Sequence, residues 1–383
     1  MFVRLRQRDT LMRERLITTL LLVALSLLID APGMHAQDGR LRTRIIRRRA
    51  DTSSESLRLP PDVRVTRDVA YGSDPLQRFD VYAPMHADSA PVIFMVHGGG
   101  WRRGDKAALG VVQNKVARWV PRGVIVISTN YRLLPSTAPL QQAQDVARAL
   151  AYAQRNASQW GADAHKFILM GHSSGAHLVA LLTAEPELAR AQGALPWLGT
   201  VSLDNASLNV VQVMHGRHLP LYDYAFGASP SDWRAVSPFD QLHSAIVPFL
   251  AVCSSLRLDS CPQAQAFARK ARSLGRRAEV LPEPLRHADV NAQLGPPSDY
   301  TRAVENFLRS LDPGVALPES VSWQKIFWPR SHSRTPIRLR QQGLFPGSPA
   351  AAPEPRSDGD FCSRRNYCCV SVYASAWARP IWP

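Results

Sequence analysis

Two unbroken apolar runs constrain this chain more than any other feature. Val92–Val96 reads VIFMV and Val124–Ser128 reads VIVIS. A strand with one wet face alternates apolar and polar residues, so such a run fits a strand buried on both faces. Helical spacing follows each: over 110–120, and over 140–155, where Val146, Leu150 and Ala151 share a face. Further strands are expected at 77–82, 167–170, 201–203, 247–252 and 278–281. Further helices are expected at 176–183, 262–273 and 300–311. Strand–helix alternation of this kind gives an α/β architecture, a mostly parallel sheet with helices on both faces.

The formal net charge of +15 invites a nucleic-acid reading, but its placement argues against one. Residues 1–50 hold eleven arginines against four acids, and residues 312–383 hold nine Lys and Arg against five acids. The stretch between them is close to balanced, so the basicity marks the two ends rather than the expected domain. The first end reads as an export signal. Arg4, Arg6, Arg8, Arg13 and Arg15 precede an apolar run from Leu16 to Ile29, which is short for a membrane span, and a cleavage site follows at Ala36. The expected organisation is a signal peptide at 1–36, a linker and domain lead-in at 37–75, the α/β domain at 76–311 and an irregular, disordered tail at 312–383. The expected localisation is exported, periplasmic or secreted, with no stable membrane insertion after cleavage and no nucleic-acid partner.

Chemistry gathers at three motifs. Gly171-His172-Ser173-Ser174-Gly175 follows an expected strand and opens an expected helix. A sharp turn there strains the backbone at the middle residue and lifts the Ser173 hydroxyl clear of the sheet at a helix N-terminus. His97-Gly98-Gly99-Gly100-Trp101 follows the buried run Val92–Val96. Acyl transfer places negative charge on a carbonyl oxygen, and a glycine run can turn backbone N–H groups toward that charge. Gly104-Asp105-Lys106 and Asn130-Tyr131-Arg132-Leu133-Leu134-Pro135 complete the set.

In this order the motifs resemble those of the α/β-hydrolase-fold esterases and lipases, in particular the hormone-sensitive-lipase-like bacterial carboxylesterases with an HGGGW loop. The resemblance covers roughly 76–311. It implies the α/β-hydrolase fold, a serine hydrolase acting on small-molecule carboxylic esters, and an oxyanion hole from the N–H groups of Gly99, Gly100 and Ser174, with Gly98 as a further candidate. The order of the triad in this fold is serine, acid, histidine. Of eleven histidines only His287 and His332 lie beyond the strand at 247–252, and His332 falls in the tail. His287 is therefore the expected base, in a loop after the strand at 278–281. His172 and His177 are expected as packing or pocket residues, and His97 as a loop-fixing one.

For the acid, Asp259 lies on the loop after 247–252, where the fold commonly carries it. The usual turn residues are missing there, and Asp204, directly after 201–203, is the alternative. Cys253 and Cys261 bracket the loop of Asp259 and are close enough in sequence for a disulfide. Residues 205–246 form a lid-like insertion. No spacing suggests a metal, and no phosphate-binding loop is present, so neither metal nor cofactor is expected. An arylformamidase-like amide hydrolase and an inactive binding protein on the same fold are the alternative functions.

Overall fold

The computed structural model describes residues 57–243, 246–313 and 315. The expected signal peptide, most of the linker, His332 and nearly all of the tail lie outside them. The strands are β1 (Val63–Ala70), β2 (Arg78–Pro84), β3 (Ala90–Val96), β4 (Ile125–Thr129), β5 (Ala162–His172), β6 (Gly199–Leu203), β7 (Phe249–Ser254) and β8 (Ala278–Glu283). They form one eight-stranded sheet in the order β1-β2-β4-β3-β5-β6-β7-β8. The pairs β1–β2 and β2–β4 are antiparallel, and the rest are parallel.

The helices are α1 (Leu109–Trp119), α2 (Pro139–Arg155), α3 (Ser174–Ala184), α4 (Glu187–Arg190), α5 (Val210–His215), α6 (Pro220–Phe226), α7 (Pro230–Ala235), α8 (Pro238–Gln241), α9 (Ser260–Ser273), α10 (His287–Ala292) and α11 (Asp299–Arg309). The apolar run of β3 shows why the sheet needs cover on both sides. Val92, Phe94 and Val96 pack with Leu150 of α2 and Leu181 of α3. Ile93 and Met95 pack on the other face with Val116 and Trp119 of α1 and Phe307 of α11. A fully buried side chain such as Phe94 contributes on the order of 2 kcal/mol of transfer free energy. A buried ion pair, Arg118 Nε to Glu305 Oε1 at 2.7 Å, ties α1 to α11.

The sheet starts earlier than the boundary expected at 76. Residues 63–70, expected in the lead-in, form β1, whose register pairs Val65 with Tyr82. β1 is an edge strand with no fully buried position, so it needs no continuous apolar run of the kind that announces β3 and β4.

Register aligns the carboxyl ends of the parallel strands. Val96 pairs with Gly171, His172 with Leu203, Leu203 with Val252, and Ser254 with Glu283. The segments following these strands therefore converge at one rim of the sheet, the place where open α/β sheets bind their ligands.

Candidate active site

Ser173 stands alone between β5 and α3. It adopts φ 55° and ψ −120°, a conformation that a non-glycine residue holds only when its surroundings enforce it. Two features enforce it here. The Ser173 N–H donates to Leu203 O at 2.9 Å, fixing the turn to β6. The flanking backbone is packed too tightly for side chains: a Cβ on Gly175 would lie 2.3 Å from Val96 O, and one on Gly171 would lie 2.4 Å from Gly175 O.

The glycine loop after β3 folds over this turn. A Cβ on Gly98 would lie 2.8 Å from His172 O and 2.9 Å from Ser173 Cβ. Gly99 and Gly100 take positive φ, at 128° and 62°. Among the described residues the N–H groups of Gly99 and Gly100 donate to no protein group, and both residues line the cavity above Ser173 with Ser174. The loop is held from behind. Tyr131 stacks on His97 at 4.6 Å and its hydroxyl donates to His97 O. Trp101 O accepts from Gln142 Nε2 and from Leu134 N–H. Asn130 Nδ2 donates to Asp105 Oδ2, and Lys106 Nζ lies 2.7 Å from the buried Asp80. The GDK and NYRLLP motifs are thus braces for the loop.

His287 opens α10 rather than sitting in the expected loop. Its Nε2 lies 3.0 Å from Ser173 Oγ, and its Nδ1 lies 2.6 Å from Asp204 Oδ2. An ionised carboxylate only accepts, so Nδ1 carries the proton and Nε2 is free to accept from the serine hydroxyl. Asp204 is fully buried at the end of β6, beside Ser173 across the β5–β6 ladder. Its Oδ1 accepts from the Ser254 N–H at 2.8 Å and from the Ser260 hydroxyl; its Oδ2 also accepts from Arg257 Nη1 at 2.9 Å. Burial pushes the Asp204 carboxyl up. Hydrogen bonds from His287, Ser260 and Ser254, with the Arg257 charge, more than reverse this and hold it well below the usual carboxylate range.

Asp259, the acid expected first, does not face His287. Its half-exposed carboxylate pairs with Arg257 Nη2 at 3.0 Å and lines a separate, adjacent cavity. The physical reason is reach. Asp259 comes just before α9, whereas β6 delivers Asp204 directly next to the serine turn. Sequence alone places both acids after strands. The β5–β6 register decides between them. Cys253 and Cys261 are bonded, with Cα atoms 5.1 Å apart, closing the loop that carries Arg257 and Asp259, with Ser260 beside the bond.

Arg257 and the pair Lys115 and Asn114 escaped sequence reasoning, and His172, expected as a packing or pocket residue, touches His287 directly. Arg257 Nη1 lies 2.9 Å from His287 Nδ1 as well as from Asp204 Oδ2, and with Nδ1 protonated its hydrogen goes to the carboxylate. His172 Nε2 donates to His287 O at 2.9 Å, and their rings lie 4.7 Å apart. Burial, then the neighbouring His287 and Lys115, push His172 down to about 3, so it stays neutral and keeps this tautomer. Fully buried Lys115 of α1 donates from Nζ to Asn291 O at 2.7 Å, while Asn114 Nδ2 donates to Ala292 O. These two side chains cap the carbonyl end of the helix that begins with His287. Burial pushes the Lys115 amine down to about 7.

The insertion at 205–246 forms α5 to α8 and walls the cavity. Tyr222 and Phe226 of α6 pack on Trp101, whose Nε1 donates to His177 Nδ1. His177 then donates from Nε2 to Val236 O, a packing role. The cavity over Ser173 holds about 900 Å³ and brings together Gly99, Gly100, Ser173, Ser174, Asp204 and His287. Among the described residues, no group of three or more His, Cys, Asp or Glu side chains could hold a metal, and no helix is long and apolar enough to cross a membrane.

Comparison with known proteins agrees with this architecture. The BD-FAE family model matches residues 79–212. The probable isoprenylcysteine alpha-carbonyl methylesterase ICMEL2 of Arabidopsis thaliana is 31% identical over 131 residues, 34% of this chain and 30% of that protein. Esterase LipC of Mycobacterium tuberculosis is 31% identical over 172 residues, 44% of this chain and 40% of that protein. The chain thus spans less than half the length of these curated relatives. The crystal structure of esterase B from Lactobacillus rhamnosis superposes with a TM-score of 0.57 at 20% identity, covering 74% of this chain and 95% of that one. The chain has the α/β-hydrolase fold.

Proposed function

We propose that this α/β-hydrolase-fold chain, similar to esterases over its central part, is a serine hydrolase that cleaves carboxylic esters through an acyl-enzyme. One observation carries the reading: Ser173 Oγ, His287 and buried Asp204 are linked at 3.0 and 2.6 Å beneath a cavity lined by Gly99 and Gly100. In the first half-reaction His287 Nε2 takes the Ser173 proton as Oγ bonds to the ester carbonyl carbon. The carbonyl electron pair moves onto its oxygen, which faces the N–H groups of Gly99, Gly100 and Ser174. Collapse expels the alcohol, which leaves with the proton from Nε2. Water then enters and gives a proton to Nε2 as its oxygen bonds to the acyl carbon; the bond to Oγ breaks, Ser173 Oγ takes the proton back from Nε2, and the acid leaves. Asp204 stays ionised throughout and steadies the imidazolium.

Export is part of the same proposal. The basic and apolar run at 1–36 and the Cys253–Cys261 bond support an oxidising compartment. The mature N-terminus from a periplasmic fraction tests it, and an intact Met1 would count against cleavage.

The catalytic reading is tested with nitrophenyl esters from acetate to palmitate, with an arylformamide alongside. Ser173→Ala is expected to lose on the order of 10⁵–10⁶ in kcat at an unchanged Tm. A phosphonate is expected to label Ser173. Labelling elsewhere would move the nucleophile, and faster turnover of the arylformamide would change the bond cleaved.

A further inference from the structure

The cavity over Ser173 is lined by three arginines, Arg102, Arg103 and Arg257, against a single carboxylate, Asp204. That carboxylate has no capacity to spare. Its two oxygens already accept from Ser254, Ser260, His287 and Arg257. Arg257 is likewise matched, by Asp204 on one side and Asp259 on the other. Arg102 and Arg103 are different. Both are exposed, and neither lies within ion-pair distance of a carboxylate among the described residues.

Their placement is specific. They directly follow Gly99-Gly100-Trp101, so they stand at the mouth beside the N–H groups that would receive the reacting carbonyl. Arg102 is also held in place. Its guanidinium lies 4.7 Å from the ring centroid of Tyr224 on α6. An arginine stacked on an aromatic face keeps its in-plane N–H fork free for a partner. Leu219 and Leu221 line the same wall, 57% and 40% exposed. Uncompensated positive charge over apolar walls concentrates the field in the mouth and draws in anions.

We infer that the ester taken by this site carries a carboxylate away from the bond that is cleaved, and that Arg102 and Arg103 receive it. This rests on the ester-hydrolase reading and adds the substrate's charge. The planar fork of arginine matches the two oxygens of a carboxylate, and such charge-assisted pairs orient a ligand as well as attract it. Oriented in this way, the anion fixes which side of the ester points to the mouth and which to the interior of the cavity.

The test uses the full chain and two matched pairs of esters. The first pair is mono-4-nitrophenyl glutarate and 4-nitrophenyl pentanoate, which differ by a terminal carboxylate on the acyl side. The second is 3-carboxyphenyl pentanoate and phenyl pentanoate, which differ on the leaving side. The readout is the ratio of kcat/KM within each pair, which cancels any general loss of fold or chemistry. At low ionic strength the anionic member of one pair is expected to be favoured by about tenfold, the scale of two partly exposed charge contacts. The ratio is expected to fall toward one as salt is raised. In Arg102→Gln/Arg103→Gln it is expected to be near one at every salt concentration. A ratio near one in both pairs for the unaltered protein overturns the inference, and that measurement needs no variant. A ratio unchanged by the double substitution, or by salt, overturns it too. Failure to cleave any of the four esters would instead remove the hydrolase reading, and this inference with it.

Discussion

The two sides of the candidate active site are built by different means. The Ser173 side comes from two contiguous runs, 97–101 and 171–175, and is shaped by backbone, with the side chains of Tyr131 and Gln142 bracing the glycine loop from behind. Glycines let main chain pass within contact of main chain, and Ser173 is held in a strained conformation by its neighbours. The acid–base side comes from widely separated segments and is fixed by side chains. Asp204 directly follows β6, Ser254 ends β7, Arg257 belongs to the loop after it, Ser260 opens α9, His287 opens α10, and Lys115 reaches in from α1. A backbone device has to be written in one stretch of sequence. A side-chain device can be distributed, and single members can be exchanged.

Breaking the distributed side at its centre gives the largest contrast. Asp204→Asn is expected to lower kcat by about 10⁴, because an amide favours the wrong His287 tautomer, while Asp259→Asn changes it by about twofold or less. Steady-state kinetics on a nitrophenyl ester reads both. The reverse order would return the acid to the loop after β7. On the backbone side, Gly98→Ala is expected to cost about 10²–10³ in kcat, since its Cβ must push against Ser173 Cβ and His172 O. Activity close to that of the unaltered protein would show that the glycine loop has slack.

Removing the bond with Cys253→Ala/Cys261→Ala loosens the loop that carries Arg257. A kcat loss on the order of tenfold is expected from mispositioning. In the chain-entropy account a loop this short also costs about 2–3 kcal/mol of stability. Denaturant melts and kinetics on the same sample separate the two effects. Lys115→Met is expected to have the smallest effect, on stability. The buried amine, pushed down to about 7, binds fewer protons folded than unfolded between pH 7 and about 10.4. Stability of the unaltered protein therefore rises with pH across that window, and the burial penalty is full below it. The methionine variant, free of that penalty, is expected to gain about 1–2 kcal/mol relative to its parent at pH 6 and to lose the advantage by pH 10.

The contrast also explains which features are legible in the sequence. VIFMV, VIVIS, GHSSG and HGGGW were legible because each is a contiguous demand on backbone and burial. His287 followed from triad order and elimination, though its place at the head of a short helix did not. The choice between Asp204 and Asp259 could not be read, because both follow strands and only register brings one of them beside Ser173. Arg257 and Lys115 were invisible for the same reason: an arginine in a turn and a lysine on a helix look solvated until the fold closes over them. β1 was missed because an edge strand needs little apolar surface.

Gly171 and Gly175 carry one more consequence, for how variation in this chain should be interpreted. A Cβ at either position would meet the main chain of a neighbouring segment whether or not a substrate ever arrives. A randomised library sorted only for folded protein, with no ester present, should therefore already return glycine at both. Invariance there records the requirements of folding and holds no information about turnover. At His287 the same library should drift freely until an activity screen is imposed, and at Ser173 it should drift toward the residues that tolerate positive φ.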